Sequence, residues 1–233
     1  RPMSLNRTKL ATPNAAKLGT KPANFQPDIP SDLLEAWAHM PLLAEANDPN
    51  TIAIFDLIGQ DWFSGEGFTA KRMAGALRAI GNKDVTVKIN SPGGDMFEGI
   101  AIYNLLREHP SKVTVEVVGY AASAASIIAM AADDIVMGLG TFIMVHNAWG
   151  GVVGNRHDFA DAQKVFEGFD AALLDIYEAR TGMKRAEIEA LMDAETFLGA
   201  SDSVANGFAD RIDAGVKAEE DAAEASAGNK KQV

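Results

Sequence analysis

Short apolar runs alternate with amphipathic or small-residue stretches along most of this chain. No other feature limits the fold as much. Residues 51–58 (TIAIFDLI) are apolar nearly throughout, which predicts a buried strand. Residues 59–67 read as a loop, and residues 68–80 as an amphipathic helix with Met73, Ala76, Leu77 and Ile80 inward. A second strand follows over residues 84–89, where Val85, Val87 and Ile89 alternate with Thr86 and Lys88. After a turn at Gly93 and Gly94 come a helix over 96–108, a strand over 112–118, a small-residue helix over 123–132 and short strands over 134–137 and 142–145. A long helix over 158–181 carries Phe159, Ala162, Phe166, Phe169, Leu173 and Tyr177 near one stripe. A shorter helix covers 184–192, and residues 197–210 read as a loop and a helix ending at Gly207. Strands alternating with helices imply an α/β fold with crossovers, which places the loops that follow the strands on a common face.

The 233 residues fit one domain of ordinary size plus tails, and 47% hydrophobic content is enough for a sizeable core. Residues 1–50 are polar and proline-punctuated, with a short helix expected near Ser31–Glu35 capped by Ser31, and read as a flexible arm. Residues 51–213 hold the folded domain, and the Ala/Glu-rich residues 214–233 read as a disordered acidic tail. A net charge of −11 argues against nucleic acid or an anionic membrane as the main partner. The chain has no cysteine, so disulfides and thiolate metal sites are excluded. The apolar stretch at 121–132 is shorter than the roughly 20 residues a bilayer span needs. Arg1, Arg7 and Lys9 precede no apolar core of the kind a secretory signal has.

Two segments carry candidate chemistry. In GYAASA, Ser123 stands where the small-residue helix begins, with alanines on both sides that leave room for a substrate backbone. In MVHNAWGG, His146 closes an apolar run and opens a glycine-rich loop. A serine hydroxyl is a poor nucleophile until a neighbouring imidazole takes its proton. A helix start also offers unpaired N–H groups to an oxyanion. Together the two segments read as a serine hydrolase. Singly, each has a plainer reading: Ser123 as a helix N-cap, His146 as a structural histidine. Ser126 competes as nucleophile, although inside a helix its hydroxyl can bond back to a carbonyl. His39 and His109 lie at surface-like positions and His157 in a polar loop. Gly93 and Gly94 lack the spacing of a dinucleotide fingerprint, and no Lys-Ser/Thr follows as in a phosphate-binding loop. They mark either a turn needing positive φ or a place where a peptide strand or oxyanion approaches the backbone. The acid that orients the histidine is expected within residues 192–197 (MDAETF), where Asp193 and Glu195 are both candidates. Dispersed histidines and the lack of a His-Glu-x-x-His helix give no reason to expect a metal, and no cofactor is called for.

The segments INSPGGDMFEGIAIYNLL, GYAASAASIIAMAA, MVHNAWGG and ETFLGASDSVANGFADRI follow one another at natural spacings. In this the chain resembles the ClpP-type serine peptidases, the Clp protease proteolytic subunit family, over roughly residues 51–212. DMFEGIAIYNLLREHP, MDAETFL and the long arm look most like the ClpP-related head maturation (prohead) proteases of tailed phages. The resemblance implies Ser123 as nucleophile and His146 as general base. It implies the backbone N–H groups of Gly94 and Ala124 as oxyanion donors, with Gly93 beside them on the substrate path. The family's orienting aspartate falls on Glu195, with Asp193 two residues earlier, and both remain candidates with the weight slightly on Asp193. The implied fold is the superhelical ββα core of the ClpP/crotonase type, with the 158–181 helix protruding as a handle between subunits. Its Phe159, Phe166, Phe169 and Tyr177 need a partner surface if exposed, which favours a homo-oligomeric ring.

The implied activity is endopeptidase cleavage of capsid or scaffold proteins, with portal or capsid proteins as further partners, in the host cytoplasm or the assembling head. Docking to an ATPase is not implied, because the arm replaces the short gating loops of processive members. Three rivals keep the fold and change the function: acyl-CoA chemistry of the crotonase kind, a Ser-Lys dyad using Lys164 or Lys88, and a catalytically degenerate scaffold subunit.

Overall fold

The computed structural model describes residues 48–60 and 67–213. The helix expected near Ser31–Glu35, most of the arm and the tail lie outside the described residues. The chain runs β1 (Thr51–Ile54), α1 (Ala70–Ile80), β2 (Val85–Ser91), α2 (Met96–Arg107), β3 (Val113–Ala122) and α3 (Ala124–Ala129). It continues through β4 (Asp134–Gly138), β5 (Phe142–Val145), α4 (Arg156–Thr181), α5 (Arg185–Asp193), β6 (Thr196–Gly199), α6 (Ala200–Ala205) and β7 (Arg211–Asp213).

The strands form one sheet in the order β1-β2-β3-β4-β7, parallel throughout. β3 is the longest strand, and one of its edges is shared. Residues 114–117 pair with β4, and Tyr120–Ala122 pair with β5. β6 then joins β5 antiparallel. This is the expected α/β architecture, with parallel strands linked by crossover helices. In β2 and β3 the alternate residues Val85, Val87, Ile89, Val113, Val115 and Val117 are all buried. Each such side chain contributes roughly 1.5–3 kcal/mol by leaving water. α1 packs on α2, α2 on α3, and α3 on β2, β3 and β5. Among the described residues no helix is long and apolar enough to cross a membrane.

The structure departs from the sequence expectations at several places. Phe68 precedes its helix: it pairs in extended form, its N–H donating to the Leu57 carbonyl, and Thr69 caps α1 by accepting from the Arg72 N–H. β1 ends at Ile54, and Ile58 returns as isolated bridges to Phe68 and Gly94. β3 runs on to Ala122, so GYAA is strand, and the following helix stops at Ala129. β6 falls largely in the 197–210 segment read as loop and helix, and β7 just beyond it; with only four and three residues they are too short for periodicity to register. α4 begins at Arg156 behind a capping box of Asn155 and Asp158. Its C-terminal part buries Leu173, Leu174 and Tyr177, whereas its N-terminal part is largely exposed.

A repeated device closes the sheet at the strand starts. Asp84, Asp133 and Asp210 each stand just before a strand and accept the N–H of a residue at the start of its neighbour. Asp84 takes Lys112 N–H at 3.1 Å, Asp133 takes Val113 N–H at 2.9 Å, and Asp210 takes Ile135 N–H at 2.8 Å. Asp210 also pairs with Arg180, a guanidinium from the buried end of α4 that donates to the Ala132 carbonyl as well. Replacing Asp210 by Ala strips a carboxylate from both partners and is expected to cost about 3 kcal/mol. Urea unfolding at fixed protomer concentration measures this; a loss below about 1 kcal/mol would show the cluster to be merely superficial.

Candidate active site

The site is built where β3 passes into α3 through a single residue. Ser123 sits between them at φ 55° and ψ −125°, a conformation a non-glycine residue adopts only under constraint. Its N–H donates to the Met144 carbonyl at 3.0 Å, so β5 holds the elbow from one side. Ser123 occupies the N-cap position of α3, as one reading of the sequence expected, but its side chain makes no capping bond. Its hydroxyl instead lies 2.7 Å from His146 Nε2. His146 follows directly on β5, so the pairing of β5 with β3 aligns both residues.

Ser126 is fully buried and committed elsewhere. Its hydroxyl bonds the Ser123 carbonyl at 2.6 Å and the Tyr177 hydroxyl at 2.7 Å. Burial pushes the Tyr177 hydroxyl well above the usual phenol range, so it stays protonated and hydrogen-bonded.

Gly93 presses on the elbow from the other side, and Gly94 beside it lies against Ile58. Ser91 fixes this turn: its buried hydroxyl donates to the Asp56 carbonyl and accepts the Gly93 N–H. Ile58 then grips both flanks, its N–H donating to Gly93 O at 2.7 Å and its carbonyl accepting Asp95 N–H at 2.8 Å. Because the bonds on either side of Gly94 go to Ile58, the N–H of Gly94 itself turns the opposite way. A side chain at Gly93 would meet Ser123 Cβ at 2.7 Å and Ala124 N at 2.9 Å; one at Gly94 would meet Ile58 O at 2.2 Å. Both have positive φ, 93° and 145°. Only glycine allows this backbone-on-backbone approach.

The acids around His146 come from separate elements. Burial holds the imidazole below its ordinary pKa, while the charges of Glu195 and then Asp170 pull it back up. Glu195 lies in the turn before β6 with φ 47°, a second non-glycine residue in the left-handed region. Asp193, at the end of α5, accepts a bond from Asn147 Nδ2 at 2.8 Å. Asp193 thus holds the residue after the histidine, and Glu195 supplies the foremost charge felt by the imidazole. Asp170, from the middle of α4, accepts Ala148 N–H at 2.6 Å. Sequence reasoning missed Asp170 and Asn147. The one available signal for Asp170 was its place beside Phe169 and four residues after Phe166 on the apolar stripe.

The lysines of the rival dyad are occupied at the surface, Lys88 with Glu116 at 3.4 Å and Lys164 with Asp161 at 3.1 Å.

Comparison with known proteins agrees with this fold. A solved structure of a ClpP1 point mutant from Listeria monocytogenes superposes with a TM-score of 0.63 at 21% identity, covering 73% of this chain and 94% of that one. That likeness establishes the fold. The sequence profile of the Clp proteases matches residues 70–215, from α1 to beyond β7. Matched over more than half its length, the chain belongs to the Clp protease family, a family of serine-type peptidases.

Proposed function

We propose that this protein is a serine endopeptidase in which Ser123 attacks the peptide carbonyl and His146 takes its proton. The observation that carries this reading is the 2.7 Å contact between Ser123 Oγ and His146 Nε2, made by a serine held in a strained elbow. In the proposed cycle the N–H groups of Gly94 and Ala124 stabilise the oxyanion. His146 then protonates the leaving amine and activates the water that frees the acyl-enzyme. Substrate lies as an extended strand along Gly93 and Gly94, recognised by main-chain bonds. Glu195 orients and stabilises the imidazolium; support comes from its leading charge on His146 and from the engagement of Asp193 by Asn147.

The proposed substrates are capsid or scaffold proteins of a tailed phage. Support for that narrower reading is the likeness of DMFEGIAIYNLLREHP and MDAETFL to head maturation proteases. Self-association is proposed from exposed Phe97, Phe159 and Val165, apolar surface of the kind that assembly covers.

The test is hydrolysis of peptides and of capsid and scaffold proteins of a tailed phage by the purified protein. Ser123→Ala and His146→Ala are expected to lower peptide hydrolysis by on the order of 10³-fold or more with sedimentation unchanged. Retained cleavage in Ser123→Ala would sink the reading. Glu195→Gln is expected to lower kcat by about 10²-fold or more and Asp193→Asn by less than about tenfold; the reverse order would reassign the acid.

His146 must be neutral to act as base, and its burial lowers its pKa. So kcat/KM should rise with pH through a limb centred below the ordinary imidazole value, leaving the enzyme fully active at neutral pH. A limb centred above that value would contradict the assignment.

A further inference from the structure

We infer that Asp170 is a positioning residue for His146: from the middle of α4 it anchors the chain just beyond the histidine and presents a second carboxylate to the imidazole. The inference rests on the Ser123–His146 reading above.

The geometry begins with the segment that leaves β5. After Val145 the chain has no ladder to hold it, yet His146 must keep its ring on Ser123. Each of the next two residues is tied by a carboxylate from a different helix. Asn147 donates its side-chain amide to Asp193 at the end of α5, and Ala148 donates its backbone N–H to Asp170 on α4. One turn before Asp170, the Phe166 ring lies so close to Gly150 that a side chain there would meet it at 2.8 Å. Phe166 and Asp170 therefore grip the same segment from one face of one helix. Phe169 beside them packs edge-on against Phe166 and against Phe97, at centroid distances of 5.8 and 5.4 Å. Phe97 is the second residue of α2, whose N-cap Asp95 directly follows Gly94. The Asp170 region of α4 thus touches both the base segment and the helix that starts at the glycine turn.

Among the described residues, three groups bear on His146. Ser123 from the elbow is neutral, Glu195 comes from the turn before β6, and Asp170 comes from α4. Asp193, nearby on α5, is bonded to Asn147. Glu195 and Asp170 both oppose the burial that would otherwise leave the base too weak. A base near the working pH transfers protons most effectively, so this compensation serves the reaction. Asp170 contributes twice, through the bond to Ala148 and through its charge.

The two contributions separate by substitution. Asp170→Asn keeps an acceptor for Ala148 N–H and removes the charge; Asp170→Ala removes both. Asp161→Asn, on the exposed face of the same helix and paired with Lys164, is the control. His146 titration is followed in the full-length protein by NMR of the ring protons, assigned by their loss in His146→Ala, alongside kcat against pH. The expected result is that both Asp170 variants move the His146 titration and the acid limb of the activity to lower pH, while Asp161→Asn does not. Asp170→Asn should keep its plateau kcat within about threefold, and Asp170→Ala should lose about tenfold from misplacement of the base.

A His146 titration in Asp170→Asn that matches Asp161→Asn, or moves upward, overturns the inference even in an active enzyme. Should Asp170→Ala fail to fold, the Asn variant decides alone. An unsubstituted protein that cleaves nothing would defeat the proposed function, and the NMR titration would still decide the role of Asp170.

Discussion

The passage of β3 into α3 at Ser123 is the constraint on which the rest depends. A strand that enters a helix through a single residue forces that residue into a conformation costing of order 1–3 kcal/mol for anything but glycine. Here that residue is a serine at φ 55°, and its surroundings over-determine it. The Met144 carbonyl takes its N–H, Ser126 takes its carbonyl, and Gly93 lies against its Cβ. The strain turns the hydroxyl out of the helix and toward β5, where His146 emerges two residues beyond the carbonyl that holds Ser123. The contacts that stabilise the elbow are therefore the contacts that bring His146 to Ser123.

Small residues make that junction possible. Ala121, Ala122, Ala124 and Ala125 are all buried, and larger side chains would separate the elbow from the glycine turn and from α2. The turn is itself held by Ile58 and Ser91, so the backbone donors proposed for the oxyanion belong to a framework fixed before substrate arrives. α4 completes the arrangement at two levels. Its buried end places Tyr177 on Ser126 beneath the elbow, and its middle places Phe166 and Asp170 on the segment after His146.

The parallel sheet and its crossovers were legible because strand and helix periodicities differ and most elements are long enough to show them. Ser123 and His146 could be paired from sequence because each stands at the end of an apolar run, where α/β folds gather their loops. What stayed hidden depends on three-dimensional pairing. GYAA has small residues suited to a helix, yet β5 and β2 recruit Tyr120, Ala121 and Ala122 into the sheet. The strands β6 and β7 are formed by partners distant in sequence. Asp193 and Glu195 are near neighbours with similar chemistry. Only the end of α5 and the left-handed turn at Glu195 separate their surroundings: one carboxylate bonds Asn147, and the charge of the other raises the His146 pKa. Asp170 has only its place beside the apolar stripe of α4 to mark it, which does not reveal its contact with Ala148.

The most direct measurement of the central claim is reaction with a fluorophosphonate probe, followed by mass spectrometry of the labelled peptide. The account predicts a single adduct on Ser123, in the peptide bearing GYAASA, and loss of that adduct when His146 is replaced by Ala. A folded protein that takes no label, or takes it on Ser126 or another hydroxyl, would contradict the assignment of the elbow serine as the activated nucleophile.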